Sequence, residues 1–295
     1  MQVAAGLLSK NTDLVFAPEE NPFESVICDL THRCNMQCKN CYIPNRDIPD
    51  MDPDWLLSIV KRFPKRTKVR LVGAEPTLYP HLTYLVRELR RLKHWPFLLT
   101  NGLRLADPHF VAELKQAGLH FVYLSFNGGF DDTCYEAIDE MPAATKKVRA
   151  LENLVQANFY VSLGMIIVRG INEQQIGPVF RRALEVPHIR ELKLRSVGLL
   201  GRHMETVPYQ LEDLIQLFHT HSGRRVDAME TFAEGEYMAR YRDGRLIVQM
   251  TQWPELGSKL RGRLAPDGTI QPFFEHVLAN EGGYWATIAQ NQPAA

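Results

Sequence analysis

From Ser25 to Val197, short apolar runs rich in β-branched and aromatic residues alternate with longer amphipathic stretches. The runs predict six strands: SVICDL from Ser25, KVRLVG from Lys68, PFLLTN from Pro96, HFVYLSF from His120, YVSLGMIIV from Tyr160 and ELKLRSV from Glu191. Two of the intervening stretches open with Asp-Pro, at Asp52-Pro53 and Asp107-Pro108. Aspartate suits a helix N-cap and proline the first helical position, so both are read as helix starts. The second helix is expected to stop before Gly118. Strands alternating with helices imply a parallel sheet with right-handed crossovers. Periodicity alone does not choose between an open doubly wound sheet and a barrel, and six strands are fewer than the eight of a closed TIM barrel.

After Val197 the rhythm changes. Helices are expected over 208–221 and 227–241, followed by a strand, RLIVQM, and a hairpin, GRLAPDGTIQPFF, turning at Asp267-Gly268. The organisation expected is an N-terminal segment over 1–24, an α/β core over 25–200 and a small C-terminal α+β extension or lid over 201–295. Lys plus Arg and Asp plus Glu both number 34, which leaves no electrostatic footprint for a polyanion, so nucleic acid is not expected as a partner. The start, MQVAAGLLSKNTDLVF, shows no charged segment leading into a long apolar run, and no later segment reaches the length of a membrane span. The expectation is a cytoplasmic protein with no membrane partner.

Candidate chemistry concentrates in THRCNMQCKNCYIP, where Cys34, Cys38 and Cys41 form a C-x3-C-x2-C array holding three of the five cysteines. Five cysteines in 295 residues do not make a disulfide framework, and this clustering points to a metal or redox site. A straight helix would separate the outer attachment points by roughly 10 Å, so the segment must curl to serve one compact centre. A loop leaving the end of the first strand can wrap three thiolates around a [4Fe–4S] cluster and leave the fourth iron open to a small molecule. The competing centre is structural zinc, which takes four protein ligands, with Cys28 or His32 as the fourth. Against zinc, Cys28 lies within the expected first strand and only one C-x2-C knuckle is present.

With CNMQCKNCY after the first strand and GAEPTL from Gly73 after the second, the sequence resembles the radical S-adenosylmethionine (radical SAM) enzymes, in a MoaA/SPASM-like branch lacking auxiliary-cluster cysteines. The resemblance covers about Ser25 to Val197. It implies a partial (β/α)6 TIM-type barrel in which Cys34, Cys38 and Cys41 hold a [4Fe–4S] cluster whose open iron is chelated by S-adenosylmethionine. Reduction by a partner such as flavodoxin or ferredoxin then yields a 5′-deoxyadenosyl radical that abstracts a substrate hydrogen. The protein supplies orientation and the cofactors the difficult chemistry.

The resemblance also assigns cofactor contacts. Gly73, Ala74, Glu75 and Pro76 match a Gly-Gly-Glu-Pro element that engages the methionyl ammonium, with alanine in place of the second glycine. Ser125 and Asn127 end the fourth strand where relatives contact ribose, although strand-end turn formers fit equally. Ile166 and Val168 are adenine-packing candidates whose other reading is core. Arg195 is a candidate for the methionyl carboxylate, in competition with a surface salt bridge. Relatives carry an aromatic residue just before the last cysteine; here Asn40 precedes Cys41 and Tyr42 follows it, as the adenine contact at that point.

Many peptide-modifying relatives hold auxiliary clusters with C-terminal cysteines. Here no cysteine follows Cys134, and Phe273 and Phe274 stand where a ligand is expected. The extension is therefore read as a lid or as shaping the substrate pocket, with Arg261 and Arg263 among polar residues whose other reading is an ordinary amphipathic surface, and a redox-neutral rearrangement, addition or epimerisation is favoured. Cys28 is the candidate hydrogen-atom donor for an epimerisation, with a buried packing role as its other reading. Three functions stay open: a radical SAM enzyme acting on a small polar metabolite in natural-product or cofactor biosynthesis, the same machinery acting on a peptide, and a zinc-stabilised binding protein without catalysis.

Overall fold

In a computed structural model, the described residues are 15–41, 43, 48–197, 207–233, 236–252 and 261–272. The six expected strands are present as β1 (Ser25–Asp29), β2 (Lys68–Val72), β3 (Trp95–Thr100), β4 (Phe121–Ser125), β5 (Tyr160–Ile167) and β6 (Ile189–Ser196). The helices are α1 (Pro53–Val60), α2 (Leu82–Arg91), α3 (Pro108–Gln116), α4 (Asp132–Asp139), α5 (Ala144–Gln156), α6 (Ile176–Glu185) and α7 (Leu211–Ser222). They follow the strands in turn, with α4 and α5 both after β4. Five further strands complete the fold: β7 (Ala228–Ala233), β8 (Glu236–Asp243), β9 (Leu246–Thr251), β10 (Gly262–Leu264) and β11 (Ile270–Pro272).

Both Asp-Pro starts are helix caps. The Asp52 carboxylate accepts from the Trp55 N–H at 2.7 Å and Asp107 from the His109 N–H at 2.9 Å, satisfying donors that the first helical turn leaves open. All five residues of β1 are buried, the burial expected of a parallel strand covered on both faces.

Two compact units divide the chain. Among the described residues, the first holds 15–33, 48–97 and 261–272, and the second holds 34–41, 43, 98–197, 207–233 and 236–252. In the first unit β1 pairs parallel with β2, from Ser25 opposite Lys68 to Asp29 opposite Val72. On its other edge β1 pairs parallel with β10, which turns back antiparallel into β11. In the second unit β4, β5 and β6 pair in parallel order, β9 joins β6 in parallel, and β8 and β7 continue antiparallel.

Three sequence expectations are revised. The stretch 227–241, read as a helix, instead carries β7 (Ala228–Ala233) and the start of β8 (Glu236–Asp243), paired antiparallel. Their Met, Glu, Ala and Arg favour helix locally. The Gly244-Arg245 turn and a five-residue pairing with β9, itself hydrogen-bonded to β6, impose strand, a case of tertiary context overriding propensity. Second, described strands of the extension add edge to edge to the sheet within each unit. Third, Arg263, read among the polar residues of a lid, is 2% exposed, and its guanidinium donates to both Asp29 oxygens at 2.7 and 2.6 Å. Phe273 and Phe274 lie outside the described residues.

Candidate functional site

In the first unit, the segment after β2 is strapped to the chain leaving β1. The Ala74 N–H donates to the Thr31 carbonyl at 2.8 Å and the Glu75 N–H to the Arg33 carbonyl at 2.9 Å. Gly73 makes this approach possible: its φ is +152°, and a β-carbon there would stand 2.3 Å from the Thr31 oxygen. Ala74 has an ordinary negative φ, so the alanine that replaces the family's second glycine is unstrained. Glu75 is fully buried and caps the short turn Pro76–Leu78, accepting from the Thr77 N–H at 3.0 Å and hydroxyl at 2.6 Å. The Thr31 hydroxyl donates to Asp50, which also pairs with Arg33. The Arg33 guanidinium reaches the Leu78 carbonyl at 2.9 Å, a second tie between the two segments.

In the second unit, the cysteine loop is irregular and curls as the spacing requires, with the Cys41 N–H closing on the Cys38 carbonyl at 3.2 Å. Cys34, Cys38 and Cys41 are each partly exposed, whereas Cys28 and Cys134 are buried. Two contacts hold the loop. The Lys39 N–H donates to the Ile138 carbonyl at 2.9 Å, using an acceptor that the end of α4 leaves open. The Asn101 amide donates to the Asn35 side chain at 2.8 Å and points toward the Cys34 sulfur at 3.9 Å. Burial pushes the Cys38 thiol well up, the charge of Asp139 adds to the rise, and Lys147 opposes it. Burial likewise raises Cys28, and raises Cys134 to about 11.

Three partly exposed cysteines on a curled loop, one with an amide donor turned toward its sulfur, fit the donor set of a [4Fe–4S] cluster. Among the described residues no three His, Cys, Asp or Glu side chains converge on a point suited to one metal ion. A cubane makes a different demand, because each thiolate binds its own iron.

The ends of β4 and β5 are stapled by buried amides. The Asn127 side chain accepts from the Ile166 N–H at 3.0 Å and donates to Asp139 at 3.4 Å. The Asn172 amide donates to the Asn127 and Ile166 carbonyls, both at 2.8 Å, and accepts from the Val168 N–H at 2.8 Å. Beside this staple, one sheet face is polar. Glu191, Lys193 and Arg195 of β6 alternate with Leu192, Leu194 and Ser196, which are fully buried on the opposite face. Register places Ser162, Gly164 and Ile166 of β5, and Ile247, Gln249 and Thr251 of β9, beside those three charged residues. Tyr123 and Ser125 of β4 continue the same rows. Glycine at 164 leaves room for Tyr123, whose hydroxyl would lie 1.7 Å from an added β-carbon. Lys193 pairs with Glu191 at 3.1 Å. The Arg195 side chain has no hydrogen-bond or ion-pair partner among the described residues.

The sequence-predicted residues therefore fall into separate settings. Gly73 to Pro76 and Cys28 belong to the first unit, and the three loop cysteines, Ser125, Asn127, Ile166, Val168 and Arg195 to the second. Asn127 is 4% exposed with its amide engaged at both ends, and Val168 is fully buried, while Ile166 stays half-buried beside Arg195. Tyr42 lies outside the described residues. Sequence reasoning missed Asp139, Lys147 and Asn172. Lys147 had a signal, since it interrupts the apolar stripe of α5 formed by Ala144, Ala150, Leu151 and Leu154.

Residues 29–183, a little over half of the chain, match the sequence model of the Radical SAM superfamily. The chain is 28% identical over 184 residues to 7,8-dihydro-6-hydroxymethylpterin dimethyltransferase of Methanocaldococcus jannaschii, covering 59% of this chain and 36% of that protein. It is 31% identical over 180 residues to GTP 3',8-cyclase of Moorella thermoacetica, covering 57% and 55%. It thus spans about a third to about half the length of these curated relatives. The crystal structure of Streptococcus suis SuiB bound to precursor peptide SuiA aligns with a TM-score of 0.59 at 16% identity, covering 74% of this chain and 48% of that one. The shared fold is α/β, of the partial TIM-barrel type.

Proposed function

This chain belongs to the radical SAM superfamily of enzymes, with a [4Fe–4S] cluster and S-adenosylmethionine as cofactors, and on that premise we propose that it abstracts hydrogen from a C–H bond of a small polar metabolite. The observation that carries this reading is the polar face of β4, β5, β6 and β9, where Glu191, Lys193, Gln249 and Thr251 offer charges and hydrogen-bonding groups suited to a compact polar substrate. The relatives named for GTP and for a pterin act on molecules of that kind. When bound, the cofactors supply reductive cleavage of the sulfonium and the resulting hydrogen abstraction.

The chain's own residues bind and orient. Cys34, Cys38 and Cys41 hold the cluster, their partial exposure distinguishing them from the two buried cysteines. The segment from Gly73 to Pro76 receives the methionyl ammonium, and Arg195, whose side chain has no hydrogen-bond or ion-pair partner among the described residues, takes the methionyl carboxylate. Ser125 contacts ribose, and Ile166 is the more accessible of the two adenine candidates. Asn127 and Val168, both buried, brace the ends of β4 and β5 through the Ile166–Asn127 and Val168–Asn172 hydrogen bonds. A flavodoxin or ferredoxin supplies the electron, and the product is redox-neutral. In an epimerisation, Cys28, kept as a thiol by burial, gives a hydrogen atom to the substrate radical, and the thiyl radical left on it regains an electron from the same donor protein and a proton from solvent.

The test is 5′-deoxyadenosine release by anaerobically reconstituted protein with dithionite and S-adenosylmethionine. GTP, a reduced pterin, a small-metabolite extract and a peptide extract are supplied in turn. Stimulation by a small polar molecule is expected, and stimulation by the peptide fraction alone overturns the substrate class. In Cys28→Ala, an epimerisation predicts 5′-deoxyadenosine without inverted product; normal turnover removes Cys28 as donor.

A further inference from the structure

A buried ion pair lies against the cysteine loop, outside the binding roles assigned above. Lys147 is fully buried in the apolar stripe of α5, and Asp139, the last residue of α4, is 1% exposed. The Lys147 ammonium donates to the Ser125 carbonyl at 3.0 Å, lies 3.6 Å from the Asp139 carboxylate and sits 4.8 Å from the centre of the Tyr135 ring. Asp139 also accepts from Asn127 at 3.4 Å. Packing does not explain the pair, because burying two charges costs several kcal/mol per ion and well-packed apolar residues often serve as well or better.

The surroundings suggest what the pair does. The loop's Lys39 N–H is bound to the carbonyl of Ile138, the residue before Asp139, which fixes Cys38 against the end of α4. Asp139 follows directly on the residue that anchors Lys39, the neighbour of Cys38, and Lys147 lies 3.6 Å from its carboxylate; both charges are buried, so their fields reach the loop with little solvent screening. A cluster held through the Cys38 sulfur receives the same two fields, and charge and hydrogen bonding around the sulfurs are among the protein's means of setting a cluster's potential.

We propose that Asp139 and Lys147 are positioning residues that set the reduction potential of the cluster held by Cys38. Lys147 favours the added electron and Asp139 opposes it. The step is a one-electron reduction in which dithionite or a protein electron donor is oxidised and the cluster gains one negative charge. The cation therefore stabilises the reduced form more than the oxidised one, and the carboxylate does the reverse. The inference rests on the cluster assignment made under the proposed function.

The experiment is a redox titration, followed by electron paramagnetic resonance, of reconstituted wild type, Asp139→Asn, Lys147→Met and the double variant. Circular dichroism and iron content confirm folding and loading. Asp139→Asn is expected to shift the midpoint upward, Lys147→Met downward, and the double variant to lie between them. Should Lys147→Met not fold, Asp139→Asn, which keeps the side chain's shape, carries the test by its upward shift. One potential shared by wild type and every loaded variant, or shifts of one sign in both single variants, overturns the inference alone. A wild type that holds no cluster overturns the proposed function with it.

Discussion

At Gly73 a methyl group has nowhere to go, because the Thr31 carbonyl oxygen occupies its place and the backbone φ of +152° suits glycine. Forcing a side chain into such a conformation costs about 1–3 kcal/mol, with the clash in addition. Gly73→Ala is therefore expected to lower the melting temperature and weaken S-adenosylmethionine binding, whereas Ala74→Gly leaves both nearly unchanged. Thermal melts and equilibrium binding check the pair, and a Gly73→Ala protein matching wild type in both contradicts the strapped geometry. The residue types at this strap were readable in the sequence, because Gly-Ala-Glu-Pro follows a strand end. The Asp50 anchor of Thr31 and Arg33 was not, since it depends on chain segments folded against each other. Lys147 falls between these cases. Its place on an apolar stripe is visible in the sequence, but its partner Asp139 becomes evident only in three dimensions.

Among the elements, β1 to β6 were legible because buried parallel strands read as short apolar runs, and two helix starts because Asp-Pro carries its own capping chemistry. The β7–β8 hairpin was hidden by helix-favouring residues that take strand form through pairing with β9. The β10–β11 hairpin was recognised by its Asp267-Gly268 turn, but its parallel place beside β1 was not. Asp29 and Arg263 make that placement testable, since removing one partner of a buried pair costs about 3–5 kcal/mol. Arg263→Met is expected to lose stability of that order in denaturant titration. A loss below about 1 kcal/mol, the typical worth of an exposed pair, contradicts an integral β10.

For the whole molecule, the superfamily was legible because two motifs fall after successive strands, and residues 29–183 match its sequence model. The polar face on which the proposed substrate class rests was not, because it is assembled by register between strands distant in sequence. Among the described residues no helix is long and apolar enough to cross a membrane. The central claim is that Cys34, Cys38 and Cys41 together hold one cluster that S-adenosylmethionine engages. Iron and sulfide analysis with electron paramagnetic resonance of the reduced protein, before and after adding S-adenosylmethionine, tests it most directly. The account predicts about four irons per chain in wild type, a signal that S-adenosylmethionine alters, and loss of stable iron in each single Cys→Ala variant. Stoichiometric zinc in place of iron after anaerobic expression, or iron retained in full by those variants, would contradict it.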